Sequence, residues 1–244
     1  MSGHSKWSTI KRKKGEKDGA RAKVFTKISR EIVVAIKEGG GDPSSNSKLA
    51  QLIQKAKSNN IPNDNIDRLI KKATGDGEKT NYENCVYEGY GPNGVAVIVD
   101  CLTDNRNRTA GEIRHYFDKF GGNLGTSGCV SFMFSEKGIV VLDNEEGDID
   151  EDKAMEDILE AGGDDFAFED GCVEITTDPT TVNEVGDALR GMGYNVLSAE
   201  PAMVPSTYTT LTDEDHIKKM GLLLDALDDN DDVQNVWHNW EETE

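Results

Sequence analysis

The chain has 244 residues, 36% hydrophobic and 30% charged, with 46 Asp and Glu against 27 Lys and Arg for a net charge of −19. That length allows one large domain or two to three ordinary ones. Its longest apolar runs, such as Val95-Ala96-Val97-Ile98-Val99, are far too short to span a bilayer, and no apolar segment follows the N-terminal charges as an export signal would, so a cytosolic protein with no membrane partner is expected.

The net charge hides two unlike regions. Residues 1–80 hold 18 basic against 9 acidic residues, a net of +9, whereas residues 81–244 hold 9 against 37, a net of −28. Such asymmetry points to a basic arm that meets nucleic acid or another polyanion, carried on a body that repels it. The four cysteines, Cys85, Cys101, Cys129 and Cys172, lie far apart with no Cys-x-x-Cys, so neither a zinc site nor a disulfide framework is indicated.

Residues 1–20 carry Lys6, Lys11, Arg12, Lys13, Lys14 and Lys17 but only Trp7 and Ile10 as large apolar groups. Burial cannot offset the entropy of ordering them, and an arm that orders on binding is expected. From Ala20 the pattern is helical: Val24, Ile28, Ile32, Ala35 and Ile36 share one side, and Lys23, Lys27, Arg30 and Lys37 share the other, until Gly39-Gly40-Gly41 stops the helix. A turn and cap at Asp42-Pro43-Ser44-Ser45 opens a second helix with the stripe Leu49, Leu52, Ile53 and Ala56. Asn63 is positioned to cap a third, with Ile66, Leu69, Ile70 and Ala73, so residues 20–75 read as a three-helix unit.

The period then becomes extended. Cys85–Tyr90 and Val95–Leu102 read as strands joined by the hairpin signal Gly91-Pro92-Asn93-Gly94. Gly89, Gly91 and Gly94 match Gly-x-Gly-x-x-Gly, but a strand follows where a dinucleotide site needs a helix, and that reading is rejected. Thr109-x-x-Glu112 reads as a capping box opening a helix with Ile113, Tyr116, Phe117 and Phe120 inward, followed by a Gly-rich loop and a strand over Cys129–Phe134. Residues 138–202 follow the order strand, helix, strand, strand, helix, strand of a ferredoxin-like unit. Beyond Pro205, an extended segment, a Thr212-capped helix with Ile217, Met220, Leu224 and Leu227, and a last strand over Val233–Trp240 are too few for a domain of their own. The expected fold is α+β with three domains: a basic arm (1–20) on a helical domain (21–80), a discontinuous α/β domain (81–135 and 203–244), and a ferredoxin-like α/β domain (136–202) inserted into it.

No constellation of catalytic residues stands out: the four histidines are scattered, and no nucleophile elbow, phosphate-cradling loop or His-Glu-x-x-His is present. The acid runs at Asp143–Asp152 and Asp225–Asp232 lack the spaced ligand set of a calcium loop and read as solvated charge. No enzyme activity, cofactor or metal is therefore expected, and a monomer is. The candidate nucleic-acid contacts are His4, Lys6, Trp7, Lys11, Arg12, Lys13, Lys14 and Lys17 on the arm, with Arg21, Lys23, Lys27, Arg30 and Lys37 on the first helix. Arg106 and Arg108, in Asp104-Asn105-Arg106-Asn107-Arg108, can touch a phosphate as a secondary contact or pair with neighbouring acids. Lysines on the helix suit backbone contact to either DNA or RNA, while Trp7 can stack on an unpaired base.

Gly3-His4-Ser5-Lys6-Trp7 with Ile10-Lys11, Gly39-Gly40-Gly41-Asp42-Pro43, Asn59-Asn60, Tyr87-Glu88-Gly89-Tyr90-Gly91-Pro92, Asp104–Thr109, Gly121-Gly122-Asn123-Leu124-Gly125 and Val236-Trp237-His238-Asn239 together resemble the YebC family from end to end. Arg21 and Lys23 stand apart where many relatives carry a basic pair, and Trp237 stands where many have Tyr. The resemblance implies a helical domain and two α/β domains, and a non-enzymatic regulator of gene expression. Members of that family are described as DNA-binding transcriptional regulators, and relatives act as translational activators, so the implied partner is DNA or ribosomal RNA and, through the latter, the ribosome.

Overall fold

The computed structural model describes residues 19–75, 80–169 and 171–241. Among these, residues 19–129 with 212–236 make one compact unit and residues 130–211 with 237–241 another.

The first unit begins with α1 (Gly19–Gly39), α2 (Ser47–Ser58) and α3 (Asn63–Thr74). The three predicted stripes meet: Ile28, Ile32, Ala35 and Ile36 pack with Leu49, Leu52 and Ala56 and with Ile66, and Leu69, Ile70 and Ala73 complete the contact. The helix starts differ from expectation. Asp42 accepts from the Ser44 amide and hydroxyl at 2.9 and 2.8 Å, bonds that hold its carboxyl below the usual range, so it closes a turn and caps nothing. The cap is Asn46, buried, whose Oδ1 accepts from Leu49 N at 3.0 Å while Nδ2 donates to the carbonyls of Ala35 and Gly40, both at 2.8 Å. One amide thus starts α2 and ties down the end of α1. At the head of α3 the cap position is Pro62, and Asn63 is the first helical residue, without a side-chain capping bond. Asn46→Ala removes all three bonds, one of them to the buried Ala35 carbonyl; it is expected to cost about 2 kcal/mol, read as a lowered denaturant midpoint with unchanged slope.

β1 (Glu83–Tyr90) and β2 (Ala96–Thr103) pair antiparallel from Glu83 opposite Thr103 to Tyr90 opposite Ala96. Asn93 and Gly94, at φ 53° and 80°, make the left-handed turn between them. α4 (Arg106–Lys119) starts three residues before the predicted box: Asn105 accepts from Arg108 N at 3.1 Å, and Thr109 lies inside the helix, fully buried. β3 (Asn123–Leu124) then pairs with β1. A Cβ on Gly89 would stand 2.6 Å from Asn123 O and 2.8 Å from a Phe117 ring carbon, so only glycine allows β1 to approach β3 and α4 so closely. Of the strand expected over Cys129–Phe134 only Phe134 is extended, as the first residue of the next strand. Gly125 N and Gly128 N donate to the backbone and side-chain oxygens of Glu88 at 2.8 and 2.7 Å, a 3-10 turn over Ser131–Met133 follows, and Phe132, which makes that run look strand-like, is 76% exposed.

The second unit contains β4 (Phe134–Asp143), α5 (Glu151–Ala161), β5 (Asp165–Glu169), β6 (Cys172–Thr177), α6 (Val182–Gly191) and β7 (Val196–Pro205). Its sheet order β5-β6-β4-β7, antiparallel throughout, is the ferredoxin-like arrangement. Val140, Leu142, Val173 and Ile175 pack against Ala154 and Ile158 of α5 and Val182, Val185 and Leu189 of α6. After β8 (Thr209–Thr210) the chain forms α7 (Glu214–Asp229), capped by Asp213 rather than Thr212: Asp213 Oδ1 accepts from the amides of Asp215 and His216, each at 3.0 Å. α7 buries Met220, Leu223, Leu224 and Leu227, and leaves Ile217 partly exposed. β9 (Val233–His238) completes the sheet order β3-β1-β2-β9 in the first unit. The predicted last strand breaks at Asn239, whose side chain donates to Thr207 O and Thr209 Oγ1, and β10 (Trp240–Glu241) pairs in parallel with β8.

Candidate nucleic-acid interface

His4, Lys6, Trp7, Lys11, Arg12, Lys13, Lys14 and Lys17 lie outside the described residues, and Arg21 falls in the first turn of α1. The rest of the first-helix set meets oxygens of the same chain, although Lys37 and the Lys23–Asp229 pair remain exposed. Lys23 Nζ pairs with the Asp229 carboxylate, Lys27 Nζ donates to Asp228 O at 3.0 Å, and Lys37 Nζ donates to Thr80 O. Arg30 donates to the Asp232 carboxylate and to Leu102 O at 3.1 Å, with its guanidinium 5.5 Å from the centre of the Tyr82 ring. Lys23, Lys27 and Arg30 are therefore laid along the C-terminal end of α7 and the turn that follows, while Lys37 meets the segment before β1.

Helix electrostatics account for this match. The last turn of a helix exposes carbonyls and a partial negative charge that cations stabilise, yet α7 has no basic residue there and ends in Asp228 and Asp229. Lys23 and Lys27 supply from α1 the positive charge that α7 lacks. The acid run Asp225–Asp232, read from the sequence as solvated, is thus the intramolecular partner of the α1 column.

Asp232 is the centre of the contact. It is 3% exposed, and its carboxylate accepts from Arg108 Nη2 and Thr109 Oγ1, both at 2.7 Å, from Thr103 Oγ1 at 3.0 Å, and from Arg30. Burial pushes its carboxyl pKa up, but the four hydrogen bonds outweigh burial and hold it at about 2. The Thr109 hydroxyl also lies 2.8 Å from that of Thr103, which accepts from Asn105 N at 2.9 Å, so the start of α4 is fastened to the same point. Arg108 makes a second bond to Asp104 at 2.9 Å. Of the two ways open to the Arg106 and Arg108 pair, Arg108 takes the acids, while Arg106 is exposed and its carbonyl accepts from the Tyr87 hydroxyl at 3.2 Å.

Thr103, Thr109 and Asp232 are the residues sequence reasoning misses here. The available signal is the chance that one of two acid runs pairs with the basic column, but nothing in the order of residues says that positions 30 and 232 meet. Among the described residues, no group of three or more His, Cys, Asp or Glu side chains converges where a metal ion could sit, and no helix is long and apolar enough to cross a membrane. Cys85 and Cys101 face each other across β1 and β2 and are buried, Cys172 is buried and Cys129 half-buried, and burial pushes the Cys101 thiol well above its ordinary range.

Two family models cover almost all of the chain: the TACO1/YebC protein N-terminal domain over residues 5–76, and the TACO1/YebC second and third domain over residues 82–240. The chain is 57% identical to a "probable transcriptional regulatory protein" of Agathobacter rectalis, over 99% of this chain and all of that one. It is 56% identical to one of the same name from Ruminiclostridium cellulolyticum, over 100% of this chain and 98% of that one. The crystal structure of a conserved hypothetical protein from Aquifex aeolicus matches with a TM-score of 0.83 at 41% identity, over 93% of both chains.

Proposed function

The chain belongs to the TACO1/YebC family, and on that premise we propose that it is a non-enzymatic, cytoplasmic regulator of gene expression that binds duplex DNA through the basic arm presented by α1. The observation that carries this reading is the division of charge, +9 over residues 1–80 against −28 over the remainder. An acidic body keeps the chain off nucleic acid except at its basic end, where Lys and Arg gain affinity by releasing the counterions of a phosphate backbone. The name of the Agathobacter and Ruminiclostridium relatives supports a transcriptional role. Lys23 and Arg30 already have carboxylate partners, and Lys27 a carbonyl, on α7 and beyond it, so in this reading they fix the base of the arm and the arm makes the intermolecular contacts.

A second reading, a translation factor that lays the same arm on ribosomal RNA, is favoured by Trp7, the one aromatic residue among the arm cations and able to stack on an unpaired base. Sequencing the nucleic acid crosslinked to the protein in cells separates the two. Enrichment of promoter DNA is the expected result, and ribosomal RNA without such enrichment selects the second reading. Lys13→Ala combined with Lys14→Ala is expected to lower the slope of log affinity against log salt by roughly 1–2; an unchanged slope removes both lysines from the contact.

A further inference from the structure

The helical unit has a second set of cations that the acidic body does not occupy. Lys48 pairs with Glu38 at 3.1 Å and Lys55 with Glu31 at 3.6 Å, so the lysines of α2 that lean towards α1 are taken. Lys57, Arg68 and Lys71 are different: all three are exposed, and their side chains make no ion pair or hydrogen bond with any described residue. Lys57 stands at the end of α2. Arg68 and Lys71 lie on the side of α3 opposite Ile66 and Ile70, which face the core. Between them the four-residue turn Asn59–Pro62, with Asn60 left-handed at φ 56°, borders a shallow depression of about 440 Å³ lined by Lys57, Asn60, Ile61, Pro62 and Asn63.

We propose that the outward face of α2 and α3, joined by this turn, is a second nucleic-acid contact that takes duplex DNA, with Lys57, Arg68 and Lys71 on phosphates and the amides of Asn60 and Asn63 within reach of base edges. Three observations choose this occupant. The exposed large apolar residues among the described residues are Val86, Phe132, Met155, Leu159, Ile217 and Leu222, none of them on the helical unit, so this face lacks the anchors of a protein or lipid surface. What it presents, beside the exposed carboxylates of Asp64 and Asp67, is cations and side-chain amides, the groups that contact phosphates and adenine edges. Two helices are joined here by a four-residue turn, and the B-form major groove admits a helix whereas the deep, narrow major groove of an RNA duplex does not. Asp64 shares the outer side of α3, in its first turn, where it answers the positive end of the helix; the cations follow one and two turns later.

The proposal rests on the nucleic-acid reading of the arm and adds a site to it. The test uses the full chain with Lys57→Gln, Arg68→Gln and Lys71→Gln combined, and a 30-base-pair duplex DNA and a structured RNA hairpin as probes, with binding followed by fluorescence anisotropy over a salt series. Because all three side chains are exposed, the helical circular dichroism and thermal midpoint should match those of the parent chain. The expected result is a duplex-DNA salt slope smaller by about 2–3 and at least tenfold weaker binding at moderate salt. A variant with the parent slope and affinity overturns this second site while leaving the arm intact. Loss of affinity confined to the RNA hairpin overturns the assignment to duplex DNA. A parent chain that binds neither probe overturns the nucleic-acid reading itself.

Discussion

Deletion of residues 1–18 is expected to weaken duplex-DNA binding at physiological salt by about 10³-fold, with the unfolding midpoint of the remaining chain unchanged. The arm holds Lys6, Lys11, Arg12, Lys13, Lys14 and Lys17 against Glu16 and Asp18. No comparable reserve of charge replaces it: Lys23, Lys27 and Arg30 are engaged by Asp229, Asp228 and Asp232. Six phosphate contacts make the salt dependence of the parent chain steeper than that of the truncated chain, so the loss should be largest at about 50 mM salt and shrink as salt rises. α1 starts at Gly19, and the described core that holds it begins at Val24 and Ile28. Anisotropy titrations with the duplex check the binding, and calorimetry checks the fold. Undiminished affinity in the truncated chain would remove the arm from the proposed function.

The fold is legible in the sequence wherever a hydrophobic period runs for two turns or more. The stripes of α1, α2 and α3, the β1–β2 hairpin and the shared core face of Val173 and Ile175 in β6 all appear where their apolar spacing places them. Apart from the strand expected at residues 129–134, the differences fall at element ends, where one hydrogen bond decides. Asn46 caps where Asp42 to Ser45 looked suitable because its amide can serve two helices at once. Asn105 takes the start of α4 because the Thr109 hydroxyl is already committed to Asp232. The candidate site is less legible for a related reason. A column of lysines looks the same from the sequence whether it waits for phosphate or meets aspartates two hundred residues away, and only the fold brings Asp228, Asp229 and Asp232 to α1.

That closure also carries the second large effect, on stability. Asp232→Ala is expected to destabilise the first unit by about 3 kcal/mol. The carboxylate is 4% exposed and serves four donors from three parts of the chain, Arg30 of α1, Thr103 at the end of β2, and Arg108 and Thr109 of α4. Removing it leaves the Arg30 guanidinium, 15% exposed, without its anion, whereas Arg108, 42% exposed, can turn to solvent; that asymmetry keeps the cost at the lower end for a broken buried pair. Asp232→Asn retains acceptors for part of the network and should cost less. The pH dependence distinguishes lost charge from lost shape. With the folded pKa at about 2, below the ordinary carboxylate value, the contribution of Asp232 is complete above about pH 4 and fades as pH falls through 2, where the native carboxylate takes up its proton. The stability gap between the parent and Asp232→Asn should therefore hold from pH 7 to pH 4 and close towards pH 2. A gap independent of pH over that range would mean that packing, and not the charge of Asp232, joins α1 to α4 and the end of α7.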